Sequence, residues 1–158
     1  MTDQPTWLTA EAYAKLKDEL DNLQTAGRQE LEARLAEARS HGDIRENADY
    51  DAAKNDQGLM EARIRQIEHI LAGAQVREAK DTGRVEIGSI VTLIDGEGEE
   101  AEYLVATPEN KVPGHLLASP SGPLGKALLG ARVGDEVTYR APGGNFGVKV
   151  VSVRPYRG

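Results

Sequence analysis

The chain carries no proline between Pro5 and Pro108. Proline removes a helical hydrogen bond and clashes with the preceding turn, so a proline-free stretch of this length permits unbroken helices. Glycine shows the same division. Residues 1–80 hold 4 of the 17 glycines and one of the seven prolines, and residues 81–158 hold the rest. The first half can be long and straight, and the second is full of turn punctuation. At 158 residues there is room for one ordinary domain or two small ones, with enough chain to bury a core.

The first half has helical periodicity. Thr9 stands before a stretch rich in Ala, Glu, Leu and Lys and reads as an N-cap. Apolar side chains recur at Tyr13, Leu16, Leu20 and Leu23, and again at Leu31, Leu35 and Ala38. An irregularity is expected near Thr25–Ala26–Gly27. Gly42 reads as a helix-ending residue with positive φ, and Asp43 as the cap of the next helix. A second run then shows Ala53, Met60, Ile64, Ile67, Leu71 and Ala74. Two narrow apolar stripes joined by a short turn predict an antiparallel coiled-coil hairpin with charged outer faces. About 30 helical residues per arm would make a rod of about 45 Å.

The second half changes period. Val85, Ile87, Ile90, Val91 and Leu93 form a β-branched run that breaks at Gly96–Glu97–Gly98. Residues 101–107 and 115–118 read as strands, and 123–129 as one or two helical turns ended by Gly130. Residues 136–140 and 148–153 read as a hairpin around Pro142–Gly143–Gly144. The fold class is therefore α+β: a helical hairpin, then a small antiparallel sheet domain with one short helix. Trp7 and Phe146 read as packing anchors.

Composition excludes several function classes. The net charge is −7, with 26 acidic against 19 basic residues. Phosphate neutralisation dominates binding to duplex DNA, so such a chain is a poor candidate for doing it unaided. There is no cysteine, which removes disulfides, thiolate metal sites and a thiol nucleophile and suits a reducing cytoplasm. Three histidines make a His-rich zinc site an unattractive reading. No apolar run has the length of a membrane span or the form of a signal peptide.

Chemistry concentrates where the two helical patterns meet, at Arg39-Ser-His-Gly-Asp43-Ile-Arg45-Glu46-Asn47-Ala-Asp49-Tyr50-Asp51-Ala-Ala-Lys54. Asp43 and Glu46 are three apart, a spacing that puts both carboxylates on one side of a helical turn. A carboxylate pair suits Mg²⁺, which takes one or two carboxylates and completes its shell with water or phosphate. It also suits a general base. The same spacing makes a capping box, and caps are the commoner use of it. Arg39, Arg45 and Lys54 could meet a phosphate chain or simply balance Asp49 and Asp51 on a solvated face. Asn47 and Tyr50 could brace the turn or meet a partner.

The full tip, Gly42-Asp43-Ile44-Arg45-Glu46-Asn47-Ala48-Asp49-Tyr50 through Lys54, followed by Gln57-Gly58 and Glu61-x-Arg63-Ile64, closely resembles the signature of Gre transcript-cleavage factors. Gly83-Arg84-Val85-x-x-Gly88, Ser121-x-Pro123-Leu124-Gly125-Lys126-Ala127-Leu128-Leu129-Gly130 and Pro142-Gly143-Gly144 resemble the later elements of the same family, in order. The resemblance covers roughly residues 8–155. The lack of an extended basic face favours the GreA type over the GreB type. Asp51 stands where the family often has a basic residue or His, and Ile44 where it often has Leu.

The resemblance implies a coiled-coil hairpin over residues 1–78 with an acidic tip at 41–50, a linker at 79–83, and an FKBP-like domain over 84–158. The hairpin would enter the secondary channel of bacterial RNA polymerase, and Ser121, Pro123, Leu124 and Gly125 would help dock the second domain. Asp43 and Glu46 would share a Mg²⁺ ion with the polymerase active centre and stimulate cleavage of backtracked RNA. Arg39, Arg45 and Lys54 would lie near the extruded 3′ end of the nascent RNA, with Asn47 and Tyr50 supporting the tip. The chain itself would be an accessory factor rather than an enzyme, cytoplasmic, with no membrane and no small-molecule substrate. Two other readings stay open: a channel-blocking regulator of the same fold that inhibits without cleavage, and a coiled-coil adaptor with no polymerase role.

Overall fold

The computed structural model describes residues 6–42 and 47–157. The chain forms two compact units, one made of Tyr13–Gly73 and the other of 6–12 together with 74–157.

The first unit is a helical hairpin. Helix α1 (Ala10–Asn22) runs through one π-helical turn, Leu23–Gly27, into α2 (Arg28–Ser40), and α3 (Ala48–Ala72) returns. The irregularity expected near Gly27 is this π turn, where the Thr25 hydroxyl donates to the Asp21 carbonyl at 2.8 Å. Gly27 faces the other arm there, and a Cβ on it would stand 3.0 Å from the Met60 sulfur. The seam is narrow: Leu31, Leu35 and Ala38 are buried on α2, and Ala53, Ile64 and Ile67 on α3. Leu20, Leu23, Met60 and Leu71 are only half-buried. Ion pairs cross between the arms on either side. Arg28 grips Glu61 with two bonds of 3.0 Å, Arg63 grips Glu19 at 2.6 and 2.8 Å, and Arg34 meets Asp56 at 3.0 Å. The returning arm is shorter than expected. It begins at Ala48 and its 25 residues span about 37 Å.

The second unit is a five-stranded sheet in the order β5-β4-β3-β7-β6. Its strands are β3 (Ser89–Asp95), β4 (Glu100–Val105), β5 (Leu116–Ala118), β6 (Glu136–Ala141) and β7 (Gly144–Pro155). A short helix, α4 (Pro123–Leu128), contacts β6. One pairing departs from the expected antiparallel pattern: β5 runs parallel to β4, after a connection through the 3₁₀ turn Pro108–Asn110. Alternation along the strands feeds two apolar clusters, as the period of two requires. Val91, Leu93 and Val105 join Leu128 and Val150 in one, and Ile90 and Leu104 join Trp7, Ala79 and Ala106 in the other.

Trp7 explains why the unit boundary does not track the order of the chain. The stretch expected to belong wholly to the hairpin begins with β1 (Thr6–Leu8), which pairs in parallel with β2 (Ala74–Val76). Trp7 is 5% exposed, and its indole donates to the Arg77 carbonyl at 2.9 Å. Gly88 adopts φ +97° beneath it, where a Cβ would come within 3.1 Å of the ring. Asn110, 1% exposed, completes the attachment. Its amide donates to the Trp7 carbonyl at 3.0 Å and its oxygen accepts from the Thr9 N–H at 2.8 Å. Thr9 in turn caps α1, accepting from the Ala12 N–H at 3.0 Å. Phe146 is not the packing anchor expected. It is 43% exposed and stacks on Tyr139, ring centres 5.6 Å apart. No helix among the described residues is long and apolar enough to cross a membrane.

Candidate functional site at the hairpin tip

Two helix ends carry the segment where the chemistry of the sequence concentrates. Helix α2 closes at Ser40. The N–H groups of His41 and Gly42 turn back to the carbonyls of Ala38 and Arg39 at 3.2 and 3.4 Å, and Gly42 adopts φ +113°. That is the positive-φ helix stop expected from the sequence. Asp43, Ile44, Arg45 and Glu46 lie outside the described residues. The two helix ends that bear them define the base of the site.

The cap of α3 differs from the one expected. Asn47, not Asp43, holds the N-cap position, in extended backbone with φ −101° and ψ 97°. Its side-chain oxygen accepts from the Tyr50 N–H at 3.1 Å, as an N-cap should. Its amide group does more, donating to the Ala38 carbonyl at 2.5 Å. That carbonyl lies in the last turn of α2 and already accepts from the His41 N–H, so the amide is its second donor. One side chain thus caps one helix and binds the end of the other. The sequence signal was present, since Asn is among the best N-caps, but Asp43 offered an equally good cap in the wrong register.

The cationic candidates have neighbours of their own. The Arg39 guanidinium stands over the Tyr50 ring at 5.8 Å, so these two side chains also link α2 to α3. Lys54 donates to the Gln57 side chain at 3.1 Å, on the exposed face of α3. Asp49 and Asp51 occupy the first turn of α3, where the helix dipole favours acids. His41 lines a small cleft of about 210 Å³ with Arg34, Glu37 and Asp49. Among the described residues no three His, Asp or Glu side chains gather in a way that could hold a metal ion.

The second group of candidates sits in the sheet unit. Ser121 and Pro123 are exposed and Leu124 is half-buried. The hydroxyls of Ser119 and Ser121 lie 3.0 Å apart, and the Gly122 N–H donates to the Ser119 carbonyl at 2.9 Å. Gly125 is buried, and a Cβ there would fall 1.9 Å from the Ser119 carbonyl oxygen. Its glycine is required by the closeness of two backbone segments, a role the sequence alone did not reveal.

Comparison with known proteins fits this architecture part by part. The model of the N-terminal domain of GreA/GreB transcription elongation factors matches residues 6–76, and the model of their C-terminal domain matches residues 80–155. The chain belongs to the GreA/GreB family of transcription elongation factors. It is 45% identical to transcription elongation factor GreA of Mycolicibacterium smegmatis, with 100% of both chains covered. It is 41% identical to transcription elongation factor GreA of Streptomyces coelicolor, covering 99% of this chain and 98% of that one. Among solved structures, GreA factor homolog 1 of Thermus thermophilus is 32% identical over 96% of this chain and 99% of its own, with a TM-score of 0.44.

Proposed function

We propose that this protein inserts its helical hairpin into the secondary channel of bacterial RNA polymerase and stimulates the polymerase's own cleavage of backtracked RNA. The observation that carries the reading is the Asn47 clamp. It ties the end of α2 to the start of α3, the two helix ends between which Asp43 and Glu46 fall in the sequence. A catalytic constellation works only when held within a fraction of an ångström of its productive geometry.

Asp43 and Glu46 are the acting residues in this reading. Two carboxylates are hard oxygen donors, and that donor set fits Mg²⁺, with water and phosphate oxygens completing the shell. A Mg²⁺ ion held by Asp43 and Glu46 together with the polymerase's active centre would supply charge stabilisation for phosphodiester hydrolysis. Asp43 and Glu46 add negative charge that raises ion occupancy at that centre, and a carboxylate oxygen can accept a proton from water. Alone, two carboxylates hold the ion weakly and position no substrate, so the hydrolysis belongs to the polymerase and the chain is its accessory. Arg39, Arg45 and Lys54 offset the repulsion between the tip acids and the extruded RNA. Their present contacts, where described, are exposed and cheap to exchange for phosphate. In the sheet unit, the exposed Ser121 and Pro123 and the half-buried Leu124 form the docking surface, with Gly125 shaping it from inside. The setting is the bacterial cytoplasm.

The test is a stalled, backtracked elongation complex supplied with Mg²⁺ and the purified protein. The expected result is release of short 3′ RNA fragments and resumed synthesis. Asp43→Asn and Glu46→Gln should each reduce cleavage by more than the ~10–100-fold typical of losing an outer-shell partner of a metal, with polymerase binding retained. Binding without fragment release would sink the reading. Inhibition of synthesis that both substitutions leave unchanged would instead identify a channel-blocking regulator.

A further inference from the structure

The sheet unit holds a second concave site, remote in sequence from the hairpin tip. Leu124 of α4 is among its lining residues, and its volume is about 460 Å³. Leu93, Leu124 and Val148 form part of the lining and continue the larger apolar cluster out to solvent. Three aromatic rings, Tyr103, Tyr139 and Phe146, line it as well. Tyr139 and Phe146 are a cross-strand pair between β6 and β7, stacked with 29° between their planes.

The charge around this floor has one sign. Asp95, Glu97, Glu99 and Glu100 line the pocket, and no Lys, Arg or His does. Asp95 is committed to its own turn, accepting from the N–H groups of Glu97 at 2.8 Å and Glu99 at 3.0 Å. Those bonds, with Gly98 at φ +84°, set the shape of the turn. Glu97, Glu99 and Glu100 are exposed and form no ion pair with any described residue. Burial, then the neighbouring Tyr139 and, last, the charge of Asp95 push the Tyr103 hydroxyl above its ordinary value.

We propose that this pocket receives an arginine side chain from an extended segment of a partner protein, with an apolar neighbour of that arginine on the aliphatic floor. Arginine fits better than lysine for two reasons. Its planar guanidinium can stack on an aromatic face while its edge donates to carboxylates in a fork. It also sheds water more readily than an ammonium group. The volume lies in the range of small-ligand sites and exceeds one side chain, which leaves room for the apolar neighbour. The site is independent of the hairpin acids, and its existence does not depend on transcript cleavage.

The probe is the blocked tripeptide acetyl-Ala-Arg-Leu-amide, titrated into the full-length ¹⁵N-labelled protein at low salt. Saturable amide shifts confined to the turn 95–100 and to the strands around Tyr139 and Phe146 are expected. The citrulline analogue, which keeps the shape but loses the charge, should bind at least tenfold more weakly, and the lysine analogue should lie between. Phe146→Ala and the double substitution Glu99→Gln with Glu100→Gln alter exposed side chains, so the fold should persist, and each should weaken binding several-fold. Absence of saturable shifts at these positions, or equal binding of the citrulline peptide, would overturn the proposal. So would the same shifts appearing with rising protein concentration and no peptide, since the occupant would then be a second copy of this chain.

Discussion

The hairpin and the sheet unit are stabilised by different means. The hairpin buries a narrow strip of Leu, Ile and Ala and ties its arms with exposed or partly exposed ion pairs. The sheet unit buries bulky residues on both faces of β3 and fastens Trp7 and Thr9 with one buried amide, Asn110. Each exposed pair contributes little because water competes for both charges. Each buried polar bond matters more, because its loss strands a partner away from water. Damage should therefore be graded in the hairpin and abrupt in the sheet unit.

The sharpest break should come from Gly125→Ala. A Cβ 1.9 Å from the Ser119 carbonyl oxygen cannot be accommodated unless backbone moves, and overpacking of this kind costs about 3 kcal/mol or more. Thermal unfolding followed by near-ultraviolet dichroism should report the loss. Asn110→Ala should come next at about 2–3 kcal/mol, since it leaves the Thr9 N–H and the Trp7 carbonyl without their partner. An unchanged melting point there would remove the contrast between the units. Leu35→Ala should cost the hairpin about 2 kcal/mol, at the low end for a buried leucine because the narrow seam can close over the gap. Arg28→Gln should have the smallest effect in this set, and high salt should erase what remains of it.

A pH titration separates the units in a second way. Hydrogen bonds from Arg63 and Arg28 hold the Glu19 and Glu61 carboxyls below their ordinary values. A depressed carboxyl adds stability that is present above its unfolded value and lost as pH falls through its folded one. The hairpin should therefore loosen in acid, below the usual carboxylate range. In the sheet unit, burial raises the hydroxyls of Tyr103 and Tyr156. Their stabilisation is complete below the ordinary tyrosine value of about 10 and lost as pH rises through the raised values. Helical dichroism at 222 nm should fail first in acid, and tyrosine-region dichroism first in alkali. The reverse order would contradict the assignment.

Legibility in the sequence divides along the same line. Residues three and four apart declare a helix locally, so the arms, the irregularity at Gly27 and the stop at Gly42 could be read directly. The cap register could not, because Asp43 and Asn47 are both good N-caps by residue type, and it is the start of α3 at Ala48, with the Tyr50 N–H on the Asn47 side chain, that selects Asn47. The sheet's strands were visible from their β-branched runs, but the parallel placement of β5 was not. Nor was the partnership of Thr9 with Asn110, which are 101 residues apart. The exposure of Phe146 escaped for a similar reason. Hydrophobicity says that a ring prefers burial, and only the stacked Tyr139 and the open pocket explain why it stops halfway. Only the resemblance of a whole segment singles out the tip acids, since spacing alone favours a cap.

The seating of Trp7 has a consequence for the order of assembly during synthesis. The hairpin's contacts lie within Tyr13–Gly73, so it can form as soon as that stretch clears the ribosome. The strand that precedes it cannot find its final place so early. Trp7 needs Ile90, Leu104 and Ala106, and Thr9 needs Asn110. Trp7 and Thr9 are thus made before the hairpin but locked in after it, and their closure waits for Asn110. A nascent chain arrested before Asn110 should carry a finished hairpin and a loose tryptophan, detectable by its quenching in water.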